Sequence, residues 1–322
     1  MGTNKSNFKY SFIKVLTGSD LSNRRLPFMQ TWSENKGPTI WITACSHGDE
    51  VGGVVLVQEV FHHIKKNKLL KGIINSFPLM NPIGFENISR NISLTKEDLN
   101  RCFPGNTMGT LAERMAYLIY SNIIETKPDL VIDIHNDWQK SIPYILLDKE
   151  SPGIDNNIYN KTIEIAKKSG FILIKDNESI RNSLSCSLLH NSIPSFTLEL
   201  GESYVVNEKN IQMGTRSILQ ILEYFGMIKN INPPFKYDLP GYNNTLLDYN
   251  EKPLCSKSGI IRFNIKPGDI IKKGHTVAKI YNAFGKQLES IKSPYDAIIL
   301  GHRDSSVAFP GTSLIAYGII NN

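Results

Sequence analysis

Buried strands show in this chain as short apolar runs, and residues 40–44, 130–134 and 196–200 are three of them. Elsewhere the apolar positions change period. Val54, Val57, Val60, Phe61 and Ile64 recur at intervals of three and four, which is one face of an amphipathic helix over residues 54–66. Similar spacing predicts helices over 111–124, 154–168 and 207–225. Shorter β-type runs predict strands over 8–16, 26–32, 72–79, 142–147 and 171–174, with a turn-rich segment at 18–25. Strands alternating with helices predict an α/β fold, a mostly parallel, doubly wound sheet with helices on both faces.

The pattern breaks twice. Residues 84–105 carry no clean period, and an irregular polar stretch of that size inside a compact domain is usually functional. Residues 227–245 are rich in proline, asparagine and glycine, and beyond them short alternating runs at 259–263, 276–281, 296–300 and 313–317 are punctuated by turns. We therefore expect two domains, residues 1–235 as the α/β unit and 236–322 as a small all-β barrel, in keeping with a 322-residue chain that exceeds one core.

Hydrophobic residues at 41% and charged residues at 20% describe an ordinary globular protein. The net charge of +6 is spread along the chain. Its densest cluster, Lys65, Lys66, Lys68 and Lys71, reads as a solvated helix end, so no nucleic-acid partner is expected. The four cysteines form no Cys-x-x-Cys pair and no disulfide framework. There is no apolar signal segment and no run of about 18 apolar residues, so no membrane partner is expected and the cytoplasm is the expected compartment. Met1-Gly2 with Ser6 fits a myristoylation pattern only superficially.

Chemistry gathers where the apolar runs end. After residues 40–44 comes a His-Gly-Asp-Glu turn, and His47 and Glu50, with Gly48 between them to let the backbone turn, can converge on one cation. His135 follows residues 130–134 in the same way, which puts all three at one end of neighbouring strands. A lone histidine there is more often a hydrogen-bonded loop residue. Two, one of them paired with a glutamate, favour a zinc site with an open coordination position. Glu199 ends another apolar run, where an ionisable group costs several kcal/mol unless it is paired or used; Glu202, past Gly201, is its competitor. Asp133 shares the face of His135 and can orient it, whereas Asp49 and Asp137 read equally as solvated caps. His62, His63, His190, His275 and His302 have no spacing partner.

The segments SHGDE, NPIGFENISRN, DLNRCFPG, VIDIHND and FTLELGE, in this order, resemble the succinylglutamate desuccinylase and aspartoacylase family, the deacylase branch of the zinc carboxypeptidase-like fold, over most of residues 38–225. The short gap between His47 and His135 resembles the deacylases more than digestive carboxypeptidases. The resemblance implies one zinc per chain held by His47, Glu50 and His135, Glu199 as general base, and Asn100 and Arg101 as the pair that holds the substrate carboxylate. It also implies that Arg90 polarises the scissile carbonyl and stabilises the oxyanion. The planar guanidinium fork suits both arginine roles. A cysteine hydrolase built on Cys45 or Cys102 is disfavoured, because nothing places a base beside a lowered-pKa thiolate.

SGIIRFNIKPGDIIKKGHTVAKI and SPYDAIIL resemble lipoyl or biotinyl-type barrels. Lys292 falls beside Ser293-Pro294 and not in the preceding hairpin at Phe284 and Gly285, so the module is expected to be unmodified, with a loop that walls the active site. These readings converge on a zinc-dependent amidohydrolase acting on a small N-acyl amino acid or related carboxylate as its partner. A zinc carboxypeptidase acting on peptides and a catalytically inactive metal-binding scaffold are the alternatives, and a homo-oligomer is compatible with the sequence.

Overall fold

The computed structural model describes residues 7–17, 21–178, 180–239, 241–303 and 305–321. The Met1-Gly2 and Ser6 pattern and residues 18–20 of the expected turn lie outside them. The chain opens on two long antiparallel strands, β1 (Asn7–Thr17) and β2 (Asn23–Trp32). The α/β portion follows as β3 (Thr39–Ala44), α1 (Gly52–Asn67), β4 (Ile73–Phe77), α2 (Pro82–Glu86), α3 (Leu111–Glu125), β5 (Leu130–His135), β6 (Lys140–Ser141), β7 (Tyr144–Leu147), α4 (Asn156–Ala166), β8 (Leu173–Lys175), α5 (Leu184–His190), β9 (Ser195–Glu199) and α6 (Glu208–Tyr224).

Strand alternation builds two cores. Ile40, Ile42, Ile132 and Ile134 face α1 and α6, where Leu56, Val57, Val60, Ile211 and Ile218 are buried against them. Trp41 and Val131, one residue out of phase, face Met115, Ile119 and Leu188 of α3 and α5. Helices thus cover both faces of a parallel centre in which β4, β3, β5 and β9 are neighbours. Local chemistry supports the helix starts. Thr110 Oγ1 accepts from the Glu113 N–H at 3.3 Å while Glu113 Oε2 accepts from the Thr110 N–H at 2.8 Å, a capping box at α3.

Two expectations change in detail. The strand expected over 142–147 is shortened to β7, which starts only after Pro143, a residue with no N–H for a ladder, and a two-residue strand, β6, precedes it. The irregular segment 84–105 takes in the end of α2 and a 3₁₀ turn at Leu99–Arg101, and it folds back across the strand ends.

The C-terminal region is all β: β10 (Leu246–Asn250), β11 (Gly259–Phe263), β12 (Ile270–Ile271), β13 (Thr276–Tyr281), β14 (Gln287–Lys292), β15 (Ala297–His302), β16 (Val307–Ala308) and β17 (Ile315–Ile319). β14, β13, β11 and β16 form a separate antiparallel sheet. β10, β17, β15 and β12 instead continue the main sheet, since β10 pairs parallel with β8 and β6 pairs with β15. The main sheet therefore crosses the expected boundary at residues 235 and 236. The pairing satisfies the backbone edge that β8 would otherwise leave open. Lys292 stands opposite Thr276, at the far end of the β13–β14 hairpin from the Phe284–Gly285 turn.

Candidate active site

Three strand ends meet at one edge. β3 and β5 run parallel with Ala44 opposite Ile134, and β5 and β9 run parallel with His135 opposite Glu199. Strand order reverses direction about β3, whose crossover leads to β4 on one side while β5 lies on the other, so a crevice opens just beyond these ends. Gly48 lies in the turn that leaves β3. The expected turning role gives way to a packing one, because its φ is not left-handed and a Cβ there would sit 2.0 Å from the Gly84 carbonyl carbon. Its N–H donates to the Ser89 carbonyl at 3.0 Å, which ties the turn to the segment after α2.

His47, Glu50 and His135 are buried together, and one ligand atom from each lies within 4.8 Å of the others. His47 Nδ1 stands 2.6 Å from Glu50 Oε1, and His135 Nδ1 stands 2.9 Å from Glu50 Oε2. The opposite ring nitrogens are already engaged. His47 Nε2 is 3.0 Å from Asp98 Oδ1, and His135 Nε2 is 2.9 Å from Asp133 Oδ2, while Asp133 Oδ1 accepts from the Thr43 hydroxyl at 2.7 Å. A carboxylate on each Nε2 keeps the proton there and turns the Nδ1 lone pair toward the shared centre. The Asp133 geometry matches what strand alternation predicts. Asp98 stood within DLNRCFPG without a role, and its place as a cap two residues before Asn100, whose N–H it accepts at 2.9 Å, was the only local signal.

Charge in the cluster is polarised. Burial alone would raise the Glu50 carboxyl, but His47 and His135 outweigh it and hold that group well below the usual carboxylate range. Asp98 is likewise held low against its burial, by His47 first and then by Arg90 and Arg101. For His135, burial opposes protonation, yet Asp133 and Glu50 raise its proton affinity well above that of a free imidazole. Glu199 behaves oppositely to Glu50: burial, then the neighbouring Asp137 charge, push its carboxyl well above its ordinary value. Its Oε2 has no hydrogen-bond partner among the described residues. Asp137, which the sequence left as a possible cap, accepts from the Tyr144 hydroxyl at 2.9 Å, and burial pushes it up to about 7.

All seven residues singled out from the sequence line one cleft of about 910 Å³. Arg90 reaches Glu50 Oε1 and Asp98 Oδ2, each at 3.4 Å, with half of its side chain exposed. Asn100 is held by the Leu184 N–H on its Oδ1 at 2.9 Å, which leaves its amide nitrogen 3.3 Å from His135 Nε2. Arg101 is tied to the Asn100 carbonyl at 2.9 Å through one guanidinium nitrogen. The far wall, which the sequence did not place residue by residue, includes Tyr249, Glu251 and Arg303 from the C-terminal region. The thiols offer no nucleophile: burial, with Glu50 next, pushes Cys45 far up, and burial pushes Cys102 to about 11.

Comparison with known proteins matches the chain to one family. The family model for the succinylglutamate desuccinylase/aspartoacylase catalytic domain covers residues 36–225. An N-alpha-acetyl-L-2,4-diaminobutyric acid deacetylase of Halomonas elongata is 20% identical over 252 residues, spanning 77% of this chain and 71% of that protein. The product-bound ectoine utilization protein EutE (DoeB) of Ruegeria pomeroyi superimposes with a TM-score of 0.84 at 17% identity, covering 99% of this chain and 100% of that one. A succinylglutamate desuccinylase/aspartoacylase of Rhodobacter sphaeroides gives 0.82 at 18% identity, covering 98% and 96%.

Proposed function

Because the chain belongs to the succinylglutamate desuccinylase/aspartoacylase family, we propose that it is a zinc-dependent amidohydrolase that removes the acyl group from a small N-acyl amino acid or related carboxylate. The observation that carries this reading is the buried His47, Glu50 and His135 cluster with Glu199 on the adjacent strand position. Two imidazoles and one carboxylate, each imidazole backed by an aspartate, are a donor set suited to zinc with one position left open. When bound, the ion supplies the positive charge that polarises a carbonyl oxygen and makes water more acidic.

The chain's own residues supply the rest. Glu199, whose proton affinity is raised by burial, takes a proton from the attacking water and passes it to the departing amine. Arg90, facing Glu50 from the cleft, stabilises negative charge developing on the carbonyl oxygen. Arg101 and Asn100 hold the substrate carboxylate. Tyr249, Glu251 and Arg303 wall the cleft on the C-terminal side, an arrangement that favours small acyl compounds over peptides. Four free cysteines fit a reducing compartment, and among the described residues no helix is long and apolar enough to cross a membrane; we place the protein in the cytoplasm.

Zinc-loaded protein incubated with N-acetyl, N-succinyl and N-formyl amino acids, beside short peptides, is expected to release free amine from the N-acyl amino acids. Chelation or His47→Ala is expected to abolish both the release and one-to-one zinc binding. Release from peptides alone would favour a carboxypeptidase, and unchanged zinc binding in His47→Ala would sink the proposal.

A further inference from the structure

An aspartate stands behind each histidine of the cluster, and the two aspartates are held in different ways. Asp98 accepts from the Asn100 N–H at 2.9 Å and from Arg90 at 3.4 Å, in a segment that borders the cleft. Asp133 lies inside the sheet. Strands β3 and β5 run parallel with Thr43 opposite Asp133, so the two side chains stand side by side on the face that Trp41 and Val131 also share. Both are buried. The Thr43 hydroxyl donates to Asp133 Oδ1 at 2.7 Å, and Oδ2 faces His135 Nε2 at 2.9 Å. The other buried members of β3, Ile40, Trp41, Ile42 and Ala44, are apolar. A valine would fill the position of Thr43 with no hydroxyl to desolvate, so packing alone does not call for threonine. Branching at Cβ restricts its χ1, and the strand thereby sets the direction of the hydroxyl.

The direction of Asp133 decides what His135 Nε2 meets. Around that nitrogen stand Asp133 Oδ2 at 2.9 Å, Asn100 Nδ2 at 3.3 Å and Ser46 Oγ at 3.5 Å. The Asn100 amide is fixed, because its Oδ1 accepts from the Leu184 N–H at 2.9 Å, so the atom it turns toward His135 is a donor. A carboxylate oxygen calls for a proton on Nε2, whereas an amide N–H calls for a lone pair there. With Oδ2 in place the carboxylate prevails, being closer and charged, and the lone pair lies on Nδ1. With Asp133 turned away Asn100 prevails. The proton then belongs on Nδ1, 2.9 Å from Glu50 Oε2, where it occupies the position a cation needs.

We infer that Thr43 is a positioning residue of the metal centre: its hydroxyl anchors Asp133 so that His135 keeps its proton on Nε2 and offers Nδ1 to the ion. Thr43 touches neither the ion nor the substrate and acts through two hydrogen bonds, Thr43 to Asp133 and Asp133 to His135. The assignment rests on the zinc reading of His47, Glu50 and His135.

Zinc affinity of the metal-free protein, measured by competition with a chromophoric chelator, tests this without turnover. Thr43→Val keeps the shape and removes the hydroxyl, and it is expected to weaken zinc binding by about tenfold or more. Thr43→Ala should act in the same direction and replaces the valine variant if that one does not fold. Thr43→Ser keeps the hydroxyl and should bind zinc within about threefold of the unmodified protein. A packing role predicts the reverse order, with valine tolerated and serine harmful. A double-mutant cycle separates action through Asp133 from a general disturbance. In an Asp133→Ala background the hydroxyl has no carboxylate to hold, so Thr43→Val should change zinc affinity by less than about twofold. Unchanged affinity in Thr43→Val, a loss in Thr43→Ser as large as in Thr43→Val, or the same loss with and without Asp133 overturns the inference and leaves the zinc reading standing. Absence of zinc binding by the unmodified protein overturns both.

Discussion

His47 Nε2 and Asp98 Oδ1 lie 3.0 Å apart, so Asp98 sets the direction of a histidine from outside the shared centre. Removing that carboxylate frees the imidazole to rotate and to exchange tautomers. Asp98→Ala is expected to weaken zinc binding by about 10–100-fold, measured by competition with a chromophoric chelator, and Asp98→Asn should recover part of the loss. Equal affinity in Asp98→Ala and the unmodified protein would remove Asp98 from the site.

Glu199 and Arg101 are expected to fail in different ways. Glu199→Gln keeps the shape of the side chain but cannot take a proton, so kcat should fall by roughly 10²–10⁴ while one zinc remains bound. Arg101→Lys trades a planar fork for a point charge, so KM should rise about tenfold or more with a smaller change in kcat. Steady-state kinetics with metal analysis separates the two, and full turnover in Glu199→Gln would rule out its role as base.

The turn after β3 is a packing constraint. Gly48→Ala forces a methyl group to within 2.0 Å of the Gly84 carbonyl carbon, so the backbone of the Gly84 segment must move. A loss of about 1–3 kcal/mol is expected from overpacking, read from the denaturant midpoint at unchanged m. A midpoint equal to that of the unmodified protein would show that the two segments separate freely.

Asp148, which lines the cleft, makes stability depend on pH. Burial lifts its carboxyl from an ordinary 3.8 to about 7, so the folded state holds the proton more tightly than the unfolded chain. Its contribution to stability is therefore complete below about pH 4 and is lost as pH rises through about 7. Asp148→Asn is neutral throughout. It should be more stable than the unmodified protein at pH 8, by up to a few kcal/mol, and no more stable near pH 4. Thermal unfolding at the two pH values measures this, and the same difference at both would contradict it.

Much of this site was legible along the chain. The apolar runs at 40–44 and 130–134 mark buried strands because a fully buried strand needs apolar residues on both faces, and His47, Glu50 and His135 follow directly from where those runs stop. Asp133 was readable from period-two alternation. Asp98 was visible as a residue but not as a partner, because its bond to His47 needs residues 84–105 to fold back across the strand ends, and that segment has no period to read. Asp137 illustrates the same limit: its contact with Tyr144 depends on how β5 and β7 flank β9.

The amino-acid sequence by itself determined the family, the run of elements and the strand ends that carry the histidines, since these depend on side-chain polarity at short separations. Only the tertiary structure decided that β10 pairs with β8, that Tyr249, Glu251 and Arg303 line the cleft, and that Asp148 and Asp176 come side by side where β7 and β8 end. Strands pair through backbone groups that every residue shares, so the neighbour and the register are selected by how the whole chain packs.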